Sequence, residues 1–323
     1  MNKIMSYCAL AIGITLTHSC VKDMQDDLHK GGWNHERSIT GISFANQVGQ
    51  PVIQRIDEST GTIDITLNVG AIPDLSKVEL TNLQLSYQAT AGVKPGDMLD
   101  FSNDARTASI IVTSTLGETR AYTITAAEFR EQMEGTWAIN DLVVWGGTGP
   151  SYGGGKVYPM MLKSWCWDYA NPPSKEYDNT LTFTLDKITD DGNTEGVCVN
   201  NAGADGAYAN FIFRGASNPV NKTDIDLNHF YRKIPVGESR WRRNYADGSI
   251  TFTDSNGNTS TATLVDAGEH VLYNNAGYVN AISVPNNAFA FTLNGTDDWS
   301  NIYSDYDVFA AKVRMYFVLV TKL

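Results

Sequence analysis

The sequence predicts an all-β protein made of two successive β units. Three observations carry that prediction. From residue 38 onward, apolar and polar residues alternate at period two, which lines one face of a strand. Turn residues interrupt the alternation at short intervals along the chain. No stretch of similar quality repeats at 3.6 residues, the signature of an amphipathic helix. Hydrophobic residues make up 42% of the 323, enough to build cores, and the length suits about two domains.

The chain opens on a leader-like stretch. Lys3 is its only charge, and an apolar run follows from about Ile4 to Leu16. That run is shorter than the ~20 residues a membrane-spanning helix needs, and it has the size of a secretory h-region. Then comes Leu16-Thr17-His18-Ser19-Cys20, with a small residue directly before a cysteine. This resembles a bacterial lipobox, although Thr17 stands where the pattern carries Leu. The resemblance implies that residues 1–19 are a signal peptide and that Cys20 is the lipidated N-terminus, held at a membrane by several acyl chains. An ordinary secretory leader cut elsewhere is the alternative. Residues 20–37 are polar and aperiodic and read as a flexible tether. Lys22-Asp23 and Gln25-Asp26-Asp27 loosely resemble the export signal of Bacteroidetes surface lipoproteins.

The first β unit spans 38–127. Ile42 and Phe44 share a strand face, as do Ile63, Ile65 and Leu67, then Leu83, Leu85 and Tyr87. Ile110 with Val112, and Tyr122 with Ile124, flank a hairpin turn at Ser114-Thr115-Leu116-Gly117-Glu118. About ninety residues with six or seven short strands predict an immunoglobulin-like sandwich. The stretch ending this unit is similar to the small Ig-like domains that follow the tether in many Bacteroidetes surface lipoproteins, where the resemblance implies a spacer. Residues 128–134 read as a linker or short helix.

The second unit, 135–323, carries strand candidates at 136–145, 179–186, 195–200, 207–213, 248–253, 259–265, 278–284, 287–293 and 310–322. Turn signals separate them at 190–193, 247–248, 254–258, 285–287 and 294–295. Consecutive hairpins predict either a larger antiparallel β-sandwich of jelly-roll type or a barrel. The opening Gly135-Thr136-Trp137 and the closing strand resemble lipocalin-like barrels, while a jelly roll explains the length better.

Function is less legible. The net charge of −12 disfavours nucleic acid as a partner. The glycine-rich stretch 146–156 fails as a phosphate loop, because Pro150 and Val157 occupy key places, and it reads as a long flexible loop. Only His229 and His270 lie in the large unit, with no nucleophile elbow and no zinc motif, so no metal or cofactor is implied. Asp186, Asp190, Asp191, Glu195, Asp297, Asp298, Asp305 and Asp307 could supply paired carboxylates, and Asp305 and Asp307 would share a strand face. Cys166 and Cys198 either join, closing a loop of about 33 residues worth ~3–4 kcal/mol, or stay separate buried thiols.

Aromatic residues are the most suggestive feature. Trp145, Tyr152, Tyr158, Trp165, Trp167, Tyr169 and Tyr177 crowd a segment rich in Gly, Pro, Asn and Ser, and Trp299, Tyr303 and Tyr306 crowd DDWSNIYSDYD. Flat rings beside short polar groups suit the stacking of sugars. Glycan-binding candidates are therefore Trp145, Trp165, Trp167, Tyr169, Trp241, Trp299 and Tyr303. Arg240, Arg242 and Arg243 around Trp241 are either a cationic sugar contact or a charged edge. The layout resembles glycan-binding lipoproteins of Bacteroidetes polysaccharide-utilisation systems. That implies non-catalytic capture of an oligosaccharide or polysaccharide at the cell surface. It also implies a lipid anchor in the outer membrane and an outer-membrane glycan importer as partner. A glycoside hydrolase and an adhesive surface protein are the alternatives.

Overall fold

A computed structural model of the chain describes residues 33–275 and 277–323. The leader and Cys20 lie outside the described residues, as does most of the expected tether. The tether's last residues are described, and they are not free. Asn34 is buried, its carbonyl accepts from the Thr115 hydroxyl (3.1 Å), and Arg37 pairs with Glu118 (3.1 Å). The chain is thus bound to the first unit from residue 34, where Asn34 and Arg37 find partners that the aperiodic sequence does not announce. No helix among the described residues is long and apolar enough to cross a membrane.

The first unit is a sandwich of two sheets. One holds β1 (Ile39–Phe44), β4 (Val78–Leu85) and β6 (Met98–Leu99). The other holds, in spatial order, β2 (Gln47–Arg55), β3 (Thr60–Leu67), β8 (Thr119–Glu128), β7 (Thr107–Thr113) and β5 (Thr90–Ala91). Alternation dictates the core: Ile42, Phe44, Ile63, Ile65, Leu67, Ile110, Val112, Tyr122 and Ile124 point in, while Ile111 points out. β4 departs from simple alternation. A register shift opposite Ser43 and Phe44 moves the pleat by one, so Val78 and Leu80 bury fully and Leu83 and Leu85 only in part. Tyr87 lies beyond the strand and is exposed, contrary to the expected shared face.

Residues 129–134 form no helix; they cross to the second unit as irregular chain. Glu131 is drawn inward, where its carboxylate accepts from the Thr194 hydroxyl (2.6 Å), the Tyr245 hydroxyl (2.8 Å) and Arg243 (3.2 Å).

The second unit is a closed barrel, and the jelly roll is overturned. Its eight strands are β9 (Gly135–Gly146), β11 (Thr180–Ile188), β12 (Thr194–Asn201), β15 (Gly237–Arg243), β16 (Ser249–Thr253), β17 (Thr259–Asn275), β18 (Tyr278–Thr292) and β19 (Val313–Lys322). Each pairs antiparallel with the next, and β19 pairs with β9, from Val313 opposite Gly146 to Lys322 opposite Trp137. No edge is left open, which is how a meander disposes of unpaired backbone. The length that favoured a jelly roll goes elsewhere. Two insertions, 147–179 and 202–236, hold the short strands β10 (Lys156–Pro159), β13 (Ile212–Phe213) and β14 (Ile225–Asp226) and the helix α1 (Asn228–Tyr231). The expected turn at Pro285 is instead a bulge inside β18. There the β17–β18 hairpin bends and lays Ile282 and Val284 against Val143, Phe317 and Leu319 on the outer wall.

The barrel has no lumen. Phe183 lies within 6.1 Å of Trp241, Phe252 and Phe289, ring centre to ring centre, and Phe291 stacks on Tyr316. Trp167, Phe213, Tyr231 and Phe309, from the insertions and the segment before β19, pack over one end. The void left between Ile139, Leu142, Tyr231, Tyr316 and Val318 is about 10 Å³, room for one water at most.

Candidate functional site

With the interior filled, exposed features gather at the barrel end at Gly146 and Val313, opposite the end where the linker enters. The glycine-rich loop there is compact rather than flexible. Residues 146–149, 154 and 155 are buried. The loop crosses itself so closely that a Cβ on Gly147 would stand 2.2 Å from the Gly154 carbonyl oxygen.

Buried hydrogen bonds fix this loop to the next one. Thr148 donates from its backbone to Asp307 Oδ2 (2.8 Å) and from its hydroxyl to Asp307 Oδ1 (2.7 Å). The same hydroxyl accepts from the Asp298 N–H (2.6 Å). Burial pushes the Asp307 carboxyl above the usual carboxylate range, partly offset by the Thr148 bonds. Asp307 opens a single π-helical turn, Asp307–Ala311, a local irregularity that recurs at functional sites.

Three aromatic side chains rest on this frame. Trp299, Tyr152 and Tyr303 are 58%, 63% and 62% exposed. Trp299 lies on Gly149, where a Cβ would come within 2.9 Å of the indole, so glycine forms the floor. Tyr152 meets Trp299 edge-on at 5.8 Å, and the Tyr303 hydroxyl donates to the Tyr152 carbonyl (2.8 Å). Tyr303 sits at φ +72°, a region that costs a bulky residue about 1–3 kcal/mol and is held only where surroundings impose it. Tyr278, at the tip of the folded-back hairpin, reaches Gly153 beside them.

A second exposed group adjoins the first. Asp305, two residues past Tyr303, pairs with Lys163 (3.0 Å), whose ammonium lies 5.2 Å from the Trp165 ring and 5.1 Å from Tyr158. Tyr169 is exposed with Arg214 stacked 3.9 Å over it. Below the 294–298 segment runs a groove of about 440 Å³ lined by Asn294, Asp298, His229, Phe230 and Tyr306.

The candidates therefore divide. Trp299, Tyr303, Trp165 and Tyr169 are exposed at one end of the barrel. Trp145 is half-buried on the outer wall, its indole N–H donating to Asn280 Oδ1 (2.9 Å) and Arg314 lying 5.7 Å from its ring. Trp167 and Trp241 are core residues, wholly enclosed. Trp167 donates to the Met160 carbonyl (3.0 Å) and Trp241 to those of Thr184 and Val197 (both 3.1 Å), which satisfies the one polar atom each carries inward. The arginines beside Trp241 form no charged edge, because β15 is paired on both sides; on the outer wall Arg240 pairs with Asp186 and Arg242 with Glu195 (3.2 Å), while Arg243 turns to Glu131.

Cys166 and Cys198 are not joined. Each is buried separately, and burial pushes the thiols up to about 11 and about 12. Asp305 and Asp307 do not share a strand face, because the chain turns helically there. Most of the expected acids hold structural partners: Asp297 faces Lys312 (3.4 Å), and Asp298 accepts from Ser300 and Asn301. Among the described residues no three metal-ligating side chains gather. Sequence reasoning passed over Thr148 and Tyr278, which carry no motif. No protein-family model matches the chain, and no curated protein matches it either.

Proposed function

We propose that the chain is a non-catalytic carbohydrate-binding protein that captures an oligosaccharide or polysaccharide on the aromatic end of its barrel. The Tyr152–Trp299–Tyr303 cluster carries the reading. Trp299 and Tyr152 lie against Gly149, Tyr303 donates to the Tyr152 carbonyl, and buried Thr148–Asp307 bonds hold the loops that carry them. Such rings stack on the C–H faces of pyranoses, with short polar side chains nearby to bond hydroxyls. Holding them in advance lowers the ordering cost of binding. Hydrolysis needs two available carboxyls about 5–9 Å apart. The carboxylates nearest the rings are instead engaged by Thr148, Lys163, Lys312 and backbone N–H groups, which favours binding. On this reading the leader and Cys20 tether the protein to the outer membrane, the Ig-like unit is a spacer, and a glycan importer receives the captured chain.

Electrophoresis through gels containing plant, host or bacterial polysaccharides tests it. At least one polysaccharide should retard the wild type, and Trp299→Ala should migrate freely while remaining folded. No retardation by any polysaccharide, or equal retardation of Trp299→Ala, refutes the reading.

A further inference from the structure

Arg214 is the residue this reading leaves unexplained. The chain has 36 acidic and 24 basic residues, so an arginine has many carboxylates to meet. Arg214 nevertheless has no carboxylate partner among the described residues. Its sequence neighbours in space are turned elsewhere: Asp168 accepts from the Asn171 N–H (3.1 Å) and Asp224 from the Gly215 N–H (2.6 Å). The backbone sets its position, since the Arg214 N–H donates to the Cys166 carbonyl (2.7 Å) and the Asp168 N–H to the Ile212 carbonyl (3.1 Å). That pairing puts the guanidinium over Tyr169, 3.9 Å from the ring centre, with a single side-chain bond, to the Trp165 carbonyl (3.4 Å). A guanidinium has five N–H donors, so one side-chain bond leaves most of them for a ligand.

We infer that Trp165, Tyr169 and Arg214 form a subsite for an acidic sugar, a pyranose bearing a carboxylate. The exposed Trp165 indole supplies the stacking surface. Arg214 supplies the planar fork that matches a carboxylate with two parallel hydrogen bonds. Lys163, whose ammonium lies 5.2 Å from the Trp165 ring, adds positive charge, partly offset by Asp305. Asp305 lies two residues from Tyr303, at most about 7 Å along the chain, so one oligosaccharide can span both ring groups. The inference rests on the carbohydrate-binding reading and adds a ligand class to it.

The test uses polygalacturonate, alginate and hyaluronan immobilised in gels, each beside its carboxyl-reduced, neutral counterpart. The wild type should bind at least one acidic polymer about tenfold more tightly than its reduced form. Arg214→Ala should bring the ratio of acidic to reduced retention down to about one, and Arg214→Lys, which keeps charge but not the fork, should restore part of it. If reduced and acidic forms are retained equally, or if Arg214→Ala keeps the preference, the inference is overturned while carbohydrate binding stands. If the wild type is retained on none of these gels and on none of the neutral polysaccharides above, both readings fall.

Discussion

Replacing Thr148 by Val tests whether the frame beneath the rings is held as described. The substitution nearly preserves volume and removes one oxygen, which donates to Asp307 Oδ1 at 2.7 Å and accepts from the Asp298 N–H at 2.6 Å. Two polar groups lose their partner, and Thr148 and Asp307 are fully buried. Leaving a buried polar group unpaired costs ~1–3 kcal/mol, so the pair together should cost ~3 kcal/mol. For a unit of this size each kcal/mol moves Tm by ~2–4 °C, giving a fall of about 6–12 °C. Thermal unfolding followed by circular dichroism measures this, with tryptophan fluorescence reporting on Trp299. Thr148→Ser keeps the oxygen and should lose only the methyl packing, under about 1.5 kcal/mol. A Val variant within ~0.5 kcal/mol of wild type, or a Ser variant as damaged as the Val one, would refute the reasoning.

Four further outcomes follow from the same geometry. Trp167→Ala should destabilise the protein by ~3–5 kcal/mol, whereas Trp299→Ala should stay within ~0.5 kcal/mol, both by denaturant unfolding. Glu131→Ala should cost ~3–5 kcal/mol, since it strands Arg243, Thr194 and Tyr245 around an emptied site; Glu131→Gln should cost less. Because burial raises the Asp307 pKa above 3.8, the folded state binds more protons than the unfolded state just above that pH. Its contribution to stability therefore falls as pH rises from 3.8 through the folded value, and Asp307→Asn should remove that slope from the pH–stability curve. Cys166 and Cys198 should resist alkylation at pH 8 in the native protein and react once it is unfolded; a disulfide-linked peptide in the mass spectrum would contradict the structure.

Period-two alternation made much of the fold legible. It set Ile63, Ile65 and Leu67 on one face and Tyr122 with Ile124 on another, and the structure buries all five. Alternation says which face a residue occupies and nothing about which strand closes on which. The pairing of β19 with β9 lies almost the whole unit apart in sequence, so barrel and jelly roll looked alike. The site was legible only as a crowd of rings. Trp165, Trp167 and Tyr169 sit in an insertion without periodicity, and no local pattern tells the enclosed indole from its exposed neighbours. Thr148 and Asp307 meet across 159 positions, and the left-handed backbone at Tyr303 has no residue signature.

The closure of β19 onto β9 has a mechanical consequence. The linker enters at the start of β9, and the rings stand at the opposite end of the same strand, so on the carbohydrate-binding proposal a ligand pulled away from the protein would tug along the strand axes. In an antiparallel sheet the hydrogen bonds run across the strands. Such a load shears the ladders on both sides of β9 together rather than peeling them one bond at a time. If the rim loops hold a polymer as proposed, gripping and resisting fall to different parts of one molecule, and a dragged ligand should let go at the rings before the barrel tears.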